Sequence, residues 1–280
     1  YTVNGTPPCA NASAQVVVTV VQAQNAGLFR SITVCSDEAP FAMIGQLGGT
    51  PDVSGTWSGG SANFDPGAHA AGTYSYTYTV AGTGPCANAT AVLSITVRIA
   101  PYAGVDNAVT FCSNDPTVNL VDLLGGTPNA GGTWTGPGGP HSDQFQPSVD
   151  VSGNYTYQVT GQAPCAADMA TDSITVNPAP YAGTSVSIVR CSNDAAFTLI
   201  SQLGGTPDSG GTWTGPGGAA FPGGTFTPGV TTPGLYTYTV TALSPCAPAV
   251  ATVSVAVVTA PRAGVGSTYT VCSSDGVFSL

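Results

Sequence analysis

Residues 124–165 read LGGTPNAGGTWTGPGGPHSDQFQPSVDVSGNYTYQVTGQAPC, and the stretch GNYTYQVT (153–160) decides the fold. Tyr155, Tyr157 and Val159 fall on one side of an extended chain, Thr156 and Gln158 on the other. A period of two is the mark of a half-buried strand. GGTP and GPGG on either side of Trp134 read as turns, because glycine takes positive φ freely and proline cannot donate to a strand ladder.

The same phrase recurs up and down the chain. Trp57, Trp134 and Trp213 stand at intervals of 77 and 79 residues, each preceded by LGGTP (from Leu47, Leu124 and Leu203). Each is followed by a tyrosine-alternating strand: GTYSYTYTV from Gly72, GNYTYQVT from Gly153, GLYTYTV from Gly234. A Pro-Cys pair comes next, with its cysteine at Cys9, Cys86, Cys165 and Cys246, then an alternating strand (VVVTV, LSITV, DSITV, VSVAV). A short connector with its glycine at 27, 104, 183 and 264 leads to a second cysteine at Cys35, Cys112, Cys191 and Cys272. Self-similarity at this period marks a repeat architecture. The register predicts complete repeats over 24–100, 101–179 and 180–260, a partial repeat of C-terminal strands over 1–23, and a partial repeat of N-terminal strands over 261–280. VNLVDLLGG and FTLISQLGG are read as strands, with one turn of helix in each as the alternative. About seven short strands per repeat, with a tryptophan between two cysteines, predict an all-β chain of tandem Ig-like or PKD-like β-sandwiches of about 77–81 residues. Trp57, Trp134 and Trp213 are then the core anchors; the other reading of each is an exposed platform for a sugar.

Composition excludes several functions. The chain has four basic residues (Arg30, Arg98, Arg190 and Arg262), no lysine, and a net charge of −10. Nucleic-acid binding needs clustered Lys and Arg, and four scattered arginines do not provide it. Without lysine there is no P-loop, Schiff base, Ser–Lys pair or Lys–Asn crosslink. No apolar run reaches the ~18 residues of a membrane span. His69 and His141 occupy non-equivalent loop segments with no recurrent partner, and zinc needs three or four ligands. No cofactor is expected and no catalytic residue is found, so the chain reads as a non-enzyme. Tyr1 opens without a signal peptide, and the whole reads as an excerpt of a longer mature polypeptide.

Eight cysteines without metal-ligand spacing predict disulfides and an oxidising, extracellular setting. Three connectivities compete. Pairing within repeats joins Cys35–Cys86, Cys112–Cys165 and Cys191–Cys246, at separations of 51, 53 and 55, with Cys9 and Cys272 paired outside the sequence. Pairing across the connector joins cysteines at a constant interval of 26. Pairing between neighbouring sandwiches joins Cys35–Cys165 and Cys112–Cys246; it follows if the repeats have Ig topology, in which a cysteine before the second strand and one before the last strand sit at opposite poles that meet between neighbours. The within-repeat pairing is the one adopted as the expectation. Asp37 and Glu38, Asp115, Asp194 and Asp275 follow the second cysteine type; they read as turn residues, with weak Ca²⁺ ligation, by the aspartates Asp37, Asp115, Asp194 and Asp275, as the alternative. Asp172-Ser173-Ile174 matches a short O-glycosylation pattern, a weak signal at three residues.

The phrase AG…VCSND…LLGGTP…GGTWTGPGG…GNYTYQVT…PC…SITVNPAPYAG resembles the tandem Ig-like or PKD-like repeats of very large Bacteroidetes surface proteins, the gliding-motility-associated adhesins exported by type IX secretion. The resemblance covers essentially the whole chain. It implies an extracellular, cell-surface location and a non-catalytic stalk or adhesive role. The expected partners are neighbouring repeats, laterally associated copies in a filament, and surface glycans. Two rival expectations are glycan-binding modules acting through the variable loops Ser58–Ala71, Gly136–Gln146 and Gly215–Thr227, and spacers of a secreted hydrolase.

Overall fold

Inward-facing residues at every second position of two long strands, Tyr78 and Val80 on one and Leu93, Ile95 and Val97 on the other, build the core of the first complete repeat. The computed structural model describes residues 1–277 and 279; Phe278 and Leu280, at the end of the expected partial repeat 261–280, lie outside the described residues. The chain forms two compact units. One comprises residues 1–108, 119–144 and 153–173, the other 109–118, 145–152 and 174–280.

In the first unit a short hairpin of β1 (Thr2–Val3) and β2 (Ala12–Ser13) precedes the first repeat. That repeat runs β3 (Arg30–Cys35), β4 (Phe41–Ala42), β5 (Thr56–Trp57), β6 (Asn63–Phe64), β7 (Gly72–Val80) and β8 (Ala89–Arg98). One sheet has the order β3-β8-β7-β5; the other pairs β4 with β6. β7 and β8 are antiparallel from Gly72↔Val97 to Val80↔Ala89. β3 runs parallel to β8, from Arg30↔Leu93 to Cys35↔Arg98. Met43, Leu47 and Phe64 close the core from the opposite side.

The middle repeat contains β9 (Asn107–Cys112), β10 (Val118–Asn119), β11 (Thr133–Gly136), β12 (Gly139–His141), β13 (Gln144–Phe145), β14 (Gly153–Val159) and β15 (Asp168–Asn177). Here GPGG makes a hairpin that adds β12 beside β11, with Trp134 opposite both His141 and Tyr157. The second unit holds the third repeat: β16 (Val186–Cys191), β17 (Phe197–Thr198), β18 (Thr212–Thr214), β19 (Thr225–Phe226), β20 (Gly234–Val240) and β21 (Ala249–Val258). Its sheets, β16-β21-β20-β18 and β17-β19, repeat the first arrangement, including the parallel first and last strands. The chain is thus all-β, in tandem Ig-like β-sandwich repeats.

Two local expectations need correction. VNLVDLLGG and FTLISQLGG are not continuous strands but take the alternative of a helical turn: a two-residue strand leads into a 3-10 turn at Leu120–Asp122 and Ile200–Gln202. Leu120 and Leu199 are fully buried, and the chain must turn behind them to bring Gly125 and Gly204 against Val105 and Thr184. Gly104 makes that approach with φ 105°, where an added Cβ would meet the Gly125 carbonyl oxygen at 2.9 Å. The alternating stretch Val16–Val20 lies in no strand, with Val16, Val17, Val18 and Val20 exposed. In complete repeats the equivalent strand lies between two neighbours, and residues 1–23 supply neither.

The stapled repeat junction as candidate functional site

The parallel pairing of first and last strands fixes where the cysteines lie. Cys35 ends β3 directly opposite Arg98, at the pole where the chain leaves the repeat. Cys86 precedes β8 by three residues, at the pole where that strand begins. At 3.2–3.4 Å per residue a strand such as β8 holds the two poles on the order of 30 Å apart, whereas a disulfide needs Cα atoms within about 7 Å. The expected bridge Cys35–Cys86, and with it Cys112–Cys165 and Cys191–Cys246, does not form. The bridges are Cys35–Cys165 and Cys112–Cys246, each with a Cα separation of 5.0 Å. Both join one repeat to the next. Cys9, Cys86, Cys191 and Cys272 carry free thiols.

In the first unit the bridge is framed by backbone. Ser36 donates its N–H to the Arg98 carbonyl (2.8 Å), and its Oγ accepts from the Ala100 N–H (3.0 Å). The Cys165 sulfur lies 3.5 Å from the Arg98 carbonyl oxygen. Arg98 Nη1 donates to Gln162 Oε1 at 2.6 Å, while its Nε is buried without a partner. Asp168 Oδ2 accepts the Ala103 N–H (2.7 Å), tying the connector to the start of β15. The second unit repeats the frame. Ser113 N–H donates to the Asn177 carbonyl (2.8 Å), Ser113 Oγ accepts from Ala179 (2.9 Å), and the Cys246 sulfur is 3.5 Å from the Asn177 oxygen. Asn177 Nδ2 donates to the Ser244 carbonyl in the place of the Arg98–Gln162 contact.

The acidic residues beside the second cysteine type hold the turn. Asp115, Asp194 and Asp275 each accept the N–H of the cysteine three residues back, at 2.7–2.9 Å. In the first repeat Glu38, not Asp37, takes this part (3.0 Å). Among the described residues Asp37 is the one acid grouped with two potential metal-ligating sulfurs, those of Cys35 and Cys165, and those sulfurs are bonded to each other.

Trp57, Trp134 and Trp213 are buried, each packed on a tyrosine (Tyr78, Tyr157, Tyr238) at 4.9–5.0 Å between ring centroids. Each tyrosine hydroxyl donates to the carbonyl of Asp52, Asn129 or Asp208 and accepts the N–H of Gly55, Gly132 or Gly211. Trp213 lines a cleft of about 480 Å³ with Phe221 and Gly223 of the variable loop. His69 and His141 are half-exposed and lie against aromatic rings, His69 stacked on Phe64 at 4.3 Å and His141 edge-on to Tyr155 at 4.9 Å.

The sequence reading missed the role of Asp172. Its side chain is fully buried and neither carboxylate oxygen has a hydrogen-bond partner. Burial, then the nearby Asp106 charge, pushes its pKa up to about 6. The signal was present: Ala170, Asp172 and Ile174 share the inward phase of β15. Ser173 of the glycosylation pattern faces outward.

No helix among the described residues is long and apolar enough to cross a membrane. No protein-family model matches the chain, and no curated protein matches it. Among solved structures the chain is similar to the I67–I69 I-band fragment of titin (13% identity, 66% of this chain and 74% of that one, TM-score 0.42). It is also similar to the insect immune protein hemolin (15%, 66% and 56%, TM-score 0.38) and to the four N-terminal Ig domains of Dscam1 isoform 6.9 (14%, 65% and 54%, TM-score 0.32). At these identities the likeness concerns the tandem Ig-type fold alone.

Proposed function

We propose that the chain is a non-catalytic, tension-carrying segment of a secreted fibre or stalk, part of a giant cell-surface adhesin that serves attachment or gliding. One observation carries this reading: each disulfide joins successive repeats, and the two closed loops, 35–165 and 112–246, overlap. A cut at any one peptide bond between Cys35 and Cys246 therefore leaves the two ends covalently joined. Disulfides of this kind belong to oxidising, extracellular settings, and repeats that contact their neighbours extend a structure with stability close to a sum over units.

The test uses the four arginines. Complete trypsin cleavage of the unfolded, unreduced chain after Arg30, Arg98, Arg190 and Arg262 gives fragments 31–98, 99–190 and 191–262. The stapled pairing holds these three together as one species, which falls apart on reduction. Three separate species before reduction, or one species that also retains fragments 1–30 and 263–280, would overturn the reading.

A further inference from the structure

Two of the four free cysteines, Cys86 and Cys191, sit in the hydrogen-bonded settings of the bonded ones. Cys191 ends its strand as Cys35 and Cys112 do, its N–H donated to an acid three residues on (Asp194, 2.9 Å). The frame beyond it is also complete. Ser192 donates to the Val258 carbonyl (2.8 Å) and accepts from the Ala260 N–H (2.9 Å), as Ser36 and Ser113 do at the bonded junctions. Cys86 matches Cys165 and Cys246. Its N–H reaches the carbonyl three residues back (2.9 Å), and its sulfur lies 3.7 Å from the Val21 carbonyl oxygen, against 3.5 Å to Arg98 and Asn177 in the two bridges. The bonded cysteines are all buried, whereas Cys86 and Cys191 are half-exposed.

We propose that Cys86 and Cys191 are half-bridges, each awaiting a complementary cysteine on a further repeat of this same sequence pattern. Cys191 takes a Pro-Cys cysteine that opens a last strand; Cys86 takes a cysteine that ends a first strand. This deepens the stapled-fibre reading and rests on it. The sites are directional, because like cysteine types never bond in the two bridges present. The further repeat comes from continuation of the polypeptide or from a second copy. In bond formation two thiols give one S–S bond; their two electrons and two protons pass to a small-molecule disulfide such as oxidised glutathione, which leaves as two thiols.

Two arms separate the sources, each read by disulfide mapping and free-thiol count. In the first, a second copy of residues 180–260 is inserted in tandem after Ala260. The expected product has three bridges, Cys191 joined to the inserted counterpart of Cys246, and free thiols still at four despite two added cysteines. C191S in that chain should leave the inserted counterpart free. In the second arm, the unaltered chain is concentrated with oxidised glutathione, and covalent oligomers bearing a Cys191–Cys86 peptide are expected. Either product supports the proposal and names the source. Cys191 left free, capped by glutathione or bonded to Cys246 in both arms overturns it. If Cys35–Cys165 is itself absent from the unaltered chain, the stapled-fibre reading fails first; if that bridge is present and Cys191 stays unpaired, only this inference fails.

Discussion

The middle and third repeats make the same tryptophan–tyrosine contact, with ring centroids 5.0 and 4.9 Å apart and both pairs inclined at 34°. They part at one inward position of the last strand, seven residues after the Pro-Cys cysteine. There the third repeat buries Val253 and the first buries Leu93, while the middle repeat buries Asp172 with no hydrogen-bond partner. The frame of strands, Trp–Tyr packing and tyrosine hydrogen bonds is retained around a group that an apolar core disfavours. A repeat array tolerates this because each unit's stability is drawn from its own core and its neighbours, so a costly residue weakens one unit and leaves the pattern readable in all.

The largest effect should come from the shared element. Trp213→Ala should cost the third repeat about 3–5 kcal/mol, and Trp134→Ala the same from a repeat already weakened, so that the middle repeat opens first. Hydrogen exchange resolved by repeat would measure both; greater protection in the middle repeat would break the comparison.

Next comes the residue that differs. The folded Asp172 titrates at about 6 against an ordinary 3.8. Below pH 3.8 both states hold the proton and no penalty applies. As pH rises towards 6 the unfolded carboxyl ionises first and stability falls, and above 6 the loss is complete, on the order of 3 kcal/mol. Asp172→Val should therefore stabilise the middle repeat by about that amount at pH 7.5 and by little at pH 3.5, read from denaturant midpoints at the two pH values. An equal gain at both would mean that burial of a methyl group, not ionisation, governs the site.

The smallest effect tests what the repeats share. Tyr157→Phe and Tyr238→Phe each remove a hydroxyl that donates one hydrogen bond and accepts another, and should cost about 1–2 kcal/mol in either repeat. Unequal costs would show that Asp172 perturbs the aromatic frame after all.

The long strands were legible because β7, β8, β14, β15, β20 and β21 alternate cleanly, and the repeat register fixed which copy of each motif matched which. The disulfide pairing stayed open because the repeat register fits three connectivities equally; Ig topology offered the one that forms, and the parallel pairing of first and last strands, which puts Cys35 and Cys86 at opposite poles, decides it. The 3-10 turns at Leu120 and Ile200 were the second choice after strand because an apolar run of three or four residues suits both. Of the two acids that follow Cys35, Glu38 and not Asp37 caps the turn because it stands three residues after the cysteine, the spacing Asp115 keeps from Cys112. Val16–Val20 shows the limit of alternation: the pattern names a face, but a strand also needs hydrogen-bonding neighbours.

The overlap of the two bridges also sets how far the chain can stretch. Pulled from its ends, the shortest covalent route passes from Cys35 to Cys165, runs backwards along the polypeptide to Cys112, and crosses to Cys246. Between the outer cysteines the route holds 53 residue steps in place of 211, so full extension is about 180 Å instead of about 720 Å at ~3.4 Å per residue. Reduction would release the difference as slack. While the bridges hold, the stretch between Cys35 and Cys246, pulled past unfolding, keeps about a quarter of the reach its length would give it.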